Sequence, residues 1–211
     1  MQTPEGYLAL PATGSGRPVL VLHAWWGVND TIRHVCQQLA DAGFVAFAPD
    51  LYHGKVAANI GDAERLGAAL DLAHEQAKAE IAAATSFLNA RSDGAHRVAV
   101  IGFSLGAYYA LDAAAALPNG IDSVVLFYGT GGADHVQSQA RYLGHFADSD
   151  PFEPDSNVGT LEAALRKAGR AVTFHRYEGT GHWFFEPDRI DAFDEAAAAL
   201  AWQRTLQFLG S

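Results

Sequence analysis

A serine, an aspartate and a histidine that follow one another along this chain have the residue types that nucleophilic catalysis requires. Ser104 lies in the segment Gly102-Phe-Ser-Leu-Gly106, which matches the pattern G-x-S-x-G. A serine hydroxyl is a weak nucleophile until a histidine takes its proton, and that histidine needs a carboxylate to fix its tautomer. An acid and then His182 follow Ser104 in the order that this motif requires. The residues therefore predict acyl transfer through a serine.

The residues around Ser104 predict a sharp turn between a buried strand and a helix. The segment from Val98 to Ile101 is a short β-branched run, and the alanine-rich segment that ends at Leu117 is typical of a helix. Glycines on both sides of the serine let the strand and the helix approach closely, so that the serine can adopt a strained conformation and expose its hydroxyl. The alternative is a glycine-rich turn whose serine only caps the helix.

His182 is the candidate base among nine histidines. It ends the segment Gly-Thr-Gly-His182, a flexible loop that is followed by three aromatic residues. The alternative is an ordinary histidine of a surface loop. His23 comes too early in the chain to be the base, although it follows a predicted strand and could line the pocket. The other seven histidines are predicted to be structural or solvated.

Two aspartates compete for the role of the acid. Asp148 and Asp150 both follow a predicted strand over residues 141–147. Asp150 precedes Pro-Phe-Glu-Pro, a rigid turn that would hold its side chain towards the histidine loop. We therefore predict Asp150 as the acid, with Asp148 solvated or capping the turn. The acidic residues near Asp150 lack the ligand spacing of a calcium-binding loop, so no metal site is predicted.

Two backbone N–H groups are expected to bind the oxyanion that forms during attack. One belongs to Leu105, the residue after the serine, and the other to the loop after an early strand, where we choose Trp25. Ala24 and Trp26 are the neighbouring alternatives. The aromatic side chains near these positions are expected either to form an apolar wall for the acyl group or to be ordinary core residues. They are Trp25, Trp26, Tyr128, Trp183 and Phe184.

Strands that alternate with helices must position these groups. Apolar runs predict strands over residues 18–22, 44–48, 98–101, 121–128, 141–147 and 171–177, with an edge strand near 7–10. Helical patterns cover residues 30–42, 62–90 with a break near 67, 105–117, 161–168 and 190–209. This order predicts an α/β fold with a mostly parallel sheet and helices on both faces. In such sheets functional sites lie beyond the carboxyl ends of the strands, where all the candidate residues fall.

Length and composition narrow the class of protein. A chain of 211 residues, 49% of them hydrophobic and 18% charged, predicts one globular domain over residues 1–211. The net charge of −10 argues against binding to nucleic acid or to anionic lipid. Cys36 is the single cysteine, and the sequence lacks a signal-peptide pattern and an apolar run of membrane-spanning length. These features lead us to expect a cytoplasmic protein.

The chain resembles the dienelactone hydrolase family of α/β-hydrolases over nearly its whole length, from about Val19 to Phe208. The resemblance rests on Trp-Gly-Val-Asn29, Ala-Pro-Asp-Leu-Tyr52, the G-x-S-x-G segment, Asp150-Pro-Phe and Tyr-Glu-Gly-Thr-Gly-His182. It implies a single-domain α/β-hydrolase fold with Ser104, Asp150 and His182 as a catalytic triad. It also implies hydrolysis of a small ester or lactone through an acyl-enzyme, without a cofactor.

Three positions depart from the family pattern. The founding members have a cysteine where this chain has Ser104, and a glutamate that gates the thiol where it has Ala24. They also bind the substrate carboxylate with an arginine where this chain has Glu186. A dienelactone, which carries a carboxylate, is expected to meet repulsion there. The departures favour a serine esterase that acts on a small, uncharged ester, lactone or thioester.

Two other functions are compatible with the sequence. True dienelactone hydrolysis predicts a basic residue in the pocket, such as Lys55 or Arg65. A relative without catalytic activity, which binds a ligand or a partner protein, would keep the sheet and lose the geometry of the triad. The leading prediction has a small-molecule substrate and no cofactor, and the sequence does not predict an oligomeric state.

Overall fold

A mostly parallel sheet positions the candidate residues. The computed structural model describes residues 3–91, 94 and 97–211, and within them seven strands form one sheet in the order β1-β3-β2-β4-β5-β6-β7. Only the pairing of β1 with β3 is antiparallel. The strands are β1 (Gly6–Ala9), β2 (Pro18–Leu22), β3 (Val45–Pro49), β4 (Val98–Phe103), β5 (Ile121–Phe127), β6 (Arg141–Ala147) and β7 (Val172–Tyr177). The predicted α/β fold is confirmed.

Helices cover both faces of this sheet. They are α1 (Asp30–Asp41), α2 (Ile60–Leu72), α3 (His74–Asn89), α4 (Leu105–Ala116), α5 (Asp155–Lys167) and α6 (Glu195–Leu209). The β2–α1–β3 and β4–α4–β5 connections run in opposite directions along the sheet, so right-handed crossovers place α1 and α4 on opposite faces. Every residue of β2, β3 and β4 is buried, as expected for parallel strands that are covered on both sides.

Three helix boundaries differ from those that the sequence pattern predicts. The long helical segment breaks at Ala73 and not at Gly67, which lies inside α2. Helix α5 begins at Asp155, more than one helical turn before the predicted start at residue 161. Helix α6 begins only at Glu195, because the Asp194 side chain accepts a hydrogen bond from the backbone of Ala197 and so caps the helix there.

In the part of the chain that the structure describes, no helix is both long enough and apolar enough to span a membrane.

Candidate active site

Ser104 lies on a strained turn between β4 and α4. Its backbone has a φ of 49° and a ψ of −112°, in a region that costs energy for a residue with a side chain. The flanking glycines make this turn possible. A Cβ atom at Gly102 would overlap with the carbonyl oxygen of Gly106, and one at Gly106 would overlap with that of Leu22. The strand, the turn and the helix therefore fit together only with glycine at both positions.

The structure brings Ser104, His182 and Asp150 together. The Oγ atom of Ser104 lies 2.9 Å from Nε2 of His182, and Nδ1 of the same ring lies 2.6 Å from Oδ2 of Asp150. The side chains of His182 and Asp150 are only 5% and 4% exposed. These residues follow β4, β7 and β6, so the carboxyl ends of parallel strands converge on one line of hydrogen bonds.

Asp150 is held as a carboxylate. Burial by itself would raise its pKa, but the hydrogen bond and charge of His182 lower it, as do two backbone hydrogen bonds. The amides of Phe152 and Glu153 donate these bonds to Oδ1, at 2.9 Å and 3.0 Å. The turn that follows Asp150 therefore both aims the side chain and stabilises its charge. Asp148 lies exposed on the same loop, where it accepts a bond of 3.3 Å from the amide of Gly179.

The two amides predicted to bind an oxyanion are available to donate. Leu105 is the first residue of α4, where helix N–H groups have no partner within the helix. Among the described residues, neither its N–H nor that of Trp25 has a hydrogen-bond acceptor. Both residues line the cavity that contains Ser104. The close contact between Gly106 and Leu22 brings the loop that carries Trp25 next to the serine.

A cavity of about 320 Å³ opens on Ser104 and His182. Of the aromatic residues that the sequence nominates for the pocket, Trp25, Tyr128 and Trp183 line it. Six further lining residues are not predicted: Asp71, Tyr108, Gly129, Thr130, Phe152 and Glu153. Four of these follow the ends of β5 and β6, so the rule that sites lie beyond strand ends could have found them. Asp71 and Tyr108 belong to helices and carry no such signal.

Trp26 and Phe184 do not line this cavity, so the prediction that they belong to the substrate pocket is wrong and the alternative, that they are core residues, applies. Both are buried in the core. The Trp26 ring lies 5.4 Å from that of Trp183, and the Phe184 ring lies 5.5 Å from that of Tyr128. Each is the inward neighbour of a residue that faces the cavity, Trp25 or Trp183, because successive side chains in these loops point in different directions.

His23 and the basic candidates also lie outside the cavity. The His23 ring is buried and donates from Nδ1 to the carbonyl oxygen of Ala24 at 2.7 Å, and burial lowers its pKa. Lys55 is exposed and lines a different depression. Arg65 pairs with Asp62 at 3.0 Å on the surface of α2. No lysine or arginine among the described residues lines the cavity at Ser104.

The expectation that Glu186 repels a substrate carboxylate is wrong. Its side chain is buried away from the cavity and accepts a hydrogen bond of 2.8 Å from the hydroxyl of Tyr128. Burial raises its pKa to about 8, so Glu186 is mostly uncharged at neutral pH. Charges near a substrate therefore come from other residues. The described residues also contain no cluster of histidine, cysteine, aspartate and glutamate able to hold a metal ion.

Comparison with known proteins gives a consistent result. The sequence model of the dienelactone hydrolase family matches residues 5–211. The chain is 33% identical to "Protein usf" of Aquifex pyrophilus over 97% of its own length and 91% of the relative's. It is 31% identical, with the same coverage, to a protein of Aquifex aeolicus named "Putative carboxymethylenebutenolidase".

A solved structure agrees with these sequence relatives. It is described as "Putative Dienelactone Hydrolase" and comes from Klebsiella pneumoniae. It superposes on this chain with a TM-score of 0.82 at 26% identity, and the match covers 98% of this chain and 92% of the other.

Proposed function

The chain belongs to the dienelactone hydrolase family, and we propose that it is a serine hydrolase that cleaves small carboxylic esters, lactones or thioesters. The observation that carries the proposal is the unbroken chain of hydrogen bonds from Ser104 through His182 to Asp150, with heavy-atom distances of 2.9 Å and 2.6 Å. This arrangement can activate a serine and needs no cofactor.

The reaction proceeds in two stages. His182 takes the hydroxyl proton as the Oγ of Ser104 attacks the carbonyl carbon, and Asp150 stabilises the imidazolium that forms. The amides of Leu105 and Trp25 donate to the oxyanion, and each such donor typically contributes about 10²–10³ in kcat. His182 then protonates the leaving group. Water, deprotonated by the same ring, hydrolyses the acyl-enzyme and restores the serine.

Two features support a small substrate. The cavity of about 320 Å³ lies at the lower end of the volumes that hold drug-sized ligands. Aromatic side chains, among them Trp25, Phe152 and Trp183, line this cavity together with Ser104. Hydrolysis of dienelactone itself is the second candidate, and the name of the relative from Aquifex aeolicus favours it. The lack of a lysine or arginine among the described lining residues weighs against it.

The test replaces the nucleophile and keeps a matched serine control. We expect Ser104→Ala to reduce turnover of p-nitrophenyl acetate at least about 10³-fold, since the nucleophile is lost. Ser86→Ala, an exposed change on α3, should leave turnover unchanged. A fluorophosphonate probe should label wild type at Ser104 and leave the alanine variant unlabelled. Unchanged turnover in Ser104→Ala would contradict the assignment of the nucleophile, and absence of both turnover and labelling in wild type would favour a relative that binds ligands without catalysis.

A further inference from the structure

The cavity at Ser104 combines acidic side chains with aromatic rings. Asp71 and Glu153 line it, and no lysine or arginine among the described residues does. Glu153 is already engaged, because its carboxylate accepts bonds of 2.7 Å and 2.9 Å from the amide and hydroxyl of Thr130. Asp71 is exposed, and its carboxylate forms no hydrogen bond or ion pair with any residue that the structure describes, although its charge raises the pKa values of the nearby Tyr52 and Tyr109 hydroxyls. One carboxylate at the cavity is therefore free to meet a ligand.

The position of Asp71 is unfavourable for the helix that carries it. It lies in the last turn of α2, at the negative end of the helix dipole, where a carboxylate is disfavoured. That last turn contains no basic residue to offset the charge. A sequence that breaks a local rule without compensation usually does so at a functional site.

Aromatic rings line the same cavity as this carboxylate. Gly67 precedes Asp71 by one helical repeat of four residues, so the two share a face of α2. A Cβ atom at Gly67 would lie 3.2 Å from Nε1 of Trp25, so this face packs against the indole. Phe152 is 52% exposed as a residue, and its ring centroid lies 6.3 Å from that of Trp25. Carboxylate and rings thus border the same cavity as Ser104.

We infer that this site prefers esters whose acyl or alcohol group carries a positive charge, such as an ammonium group, bound by Asp71 and the rings of Trp25 and Phe152. Aromatic faces attract cations, and an unpaired carboxylate adds a direct charge interaction. The net charge of −10 also favours the approach of cations over anions. The inference rests on the proposed serine hydrolysis and names the substrate class of the same site.

The experiment compares three acetate esters that differ in the charge of the alcohol. They are acetylcholine, its uncharged carbon isostere dimethylbutyl acetate, and the anionic acetoxybutanoate. All three form the same acetyl-enzyme, so differences in kcat/KM report binding and acylation. We expect acetylcholine to exceed its isostere by about tenfold, which is the size of one cation–aromatic contact plus one partly screened charge pair. The anion should be the poorest substrate.

Variants at Asp71 separate the local effect from the overall charge. Asp71→Asn should remove most of the preference, whereas Glu64→Gln, which removes the same charge from an exposed position of α2, should preserve it. Asp71→Lys should favour the anion, and the fold should tolerate it because lysine suits the end of a helix. Equal kcat/KM for acetylcholine and its isostere in wild type, or a preference that survives Asp71→Asn, would overturn the inference.

Failure of the inference and failure of the proposed function give different results. Hydrolysis that depends on Ser104 but shows no charge preference contradicts the inference and leaves the proposed serine hydrolysis standing. If none of the three acetates is hydrolysed, binding of choline and of dimethylbutanol is measured by calorimetry in wild type and in Asp71→Asn. Tighter binding of choline that is lost in the variant supports the cation site, and equal binding refutes it.

Discussion

Asp150 and Glu186 are buried carboxyl groups that contact neighbouring aromatic rings, yet their pKa values shift in opposite directions. The side chain of Asp150 is 4% exposed, and Glu186 as a residue is 1% exposed. Asp150 contacts His182, and Glu186 contacts Tyr128, whose ring centroid lies 5.0 Å from that of His182. The pKa of Asp150 is lowered, whereas that of Glu186 rises to about 8.

The number of hydrogen-bond donors explains the difference. Asp150 accepts from Nδ1 of His182 and from two backbone amides, and these bonds outweigh the effect of burial. Glu186 accepts one side-chain bond, from Tyr128, and the charge of Asp188 adds to burial in raising its pKa. Burial alone therefore does not keep a carboxyl group ionised. A set of donors has to be built around it.

The largest expected effect tests this comparison directly at the site. Asp150→Asn replaces the carboxylate with an amide that cannot fix the tautomer of His182 or stabilise its charge, and kcat should fall by about 10⁴, as in other Ser-His-Asp triads. Glu186→Gln makes the same chemical change, but its amide oxygen still accepts from Tyr128, so kcat should stay near the wild-type value. Steady-state kinetics on p-nitrophenyl acetate provide the measurement. Equal losses in the two variants would contradict the distinction.

The next effect concerns stability as a function of pH. Glu186 is protonated in the folded protein up to a pKa of about 8, whereas in the unfolded chain it ionises near its ordinary value of about 4.3. Between these values the unfolded state binds fewer protons, so the contribution of Glu186 to stability is full at low pH and falls as pH rises. One such group changes the slope of the unfolding free energy against pH by at most about −1.4 kcal/mol per pH unit.

Other buried groups titrate in the same range, so a matched variant is needed. The pKa values of His23 and His145 are lowered by burial, and their contributions to stability rise with pH instead. The informative quantity is the difference in unfolding free energy between wild type and Glu186→Gln, measured by urea denaturation from about pH 5 to pH 8. As pH rises, the unfolding free energy of wild type should fall relative to that of Glu186→Gln. A constant difference would show that Glu186 is ionised in the folded protein.

Local sequence patterns predicted the strands and the proximity of Ser104, Asp150 and His182. That success has a physical reason: each of the three follows a parallel strand, and parallel strands end at one edge of the sheet. The direction of each loop side chain was less predictable. Tyr128 and Trp183 have φ values of 37° and 66°, which ordinary residues rarely adopt and which a pattern of residue types does not reveal.

Glu186 and Asp71 show where sequence patterns stop being informative. The alignment of Glu186 with a substrate-binding position suggested a charge in the pocket, but its side chain turns inward to Tyr128. Asp71 lies inside the helical segment predicted over residues 62–90, and the packing of α2 against Trp25 brings it to the cavity. Both depend on tertiary contacts between segments that are far apart in the sequence.

The smallest expected effect comes from the carboxylate nearest to Asp150 in the sequence. Asp148 is exposed and accepts a single bond of 3.3 Å from Gly179, so it has neither the burial of Glu186 nor the set of donors around Asp150. Asp148→Asn should therefore leave kcat nearly unchanged and shift the unfolding free energy by no more than about 0.5 kcal/mol, as for most surface substitutions. Kinetics and urea denaturation, run beside Asp150→Asn, measure both. A loss of kcat close to that of Asp150→Asn would mean that Asp148 shares the role of the acid, and that the donors around Asp150 do not single it out.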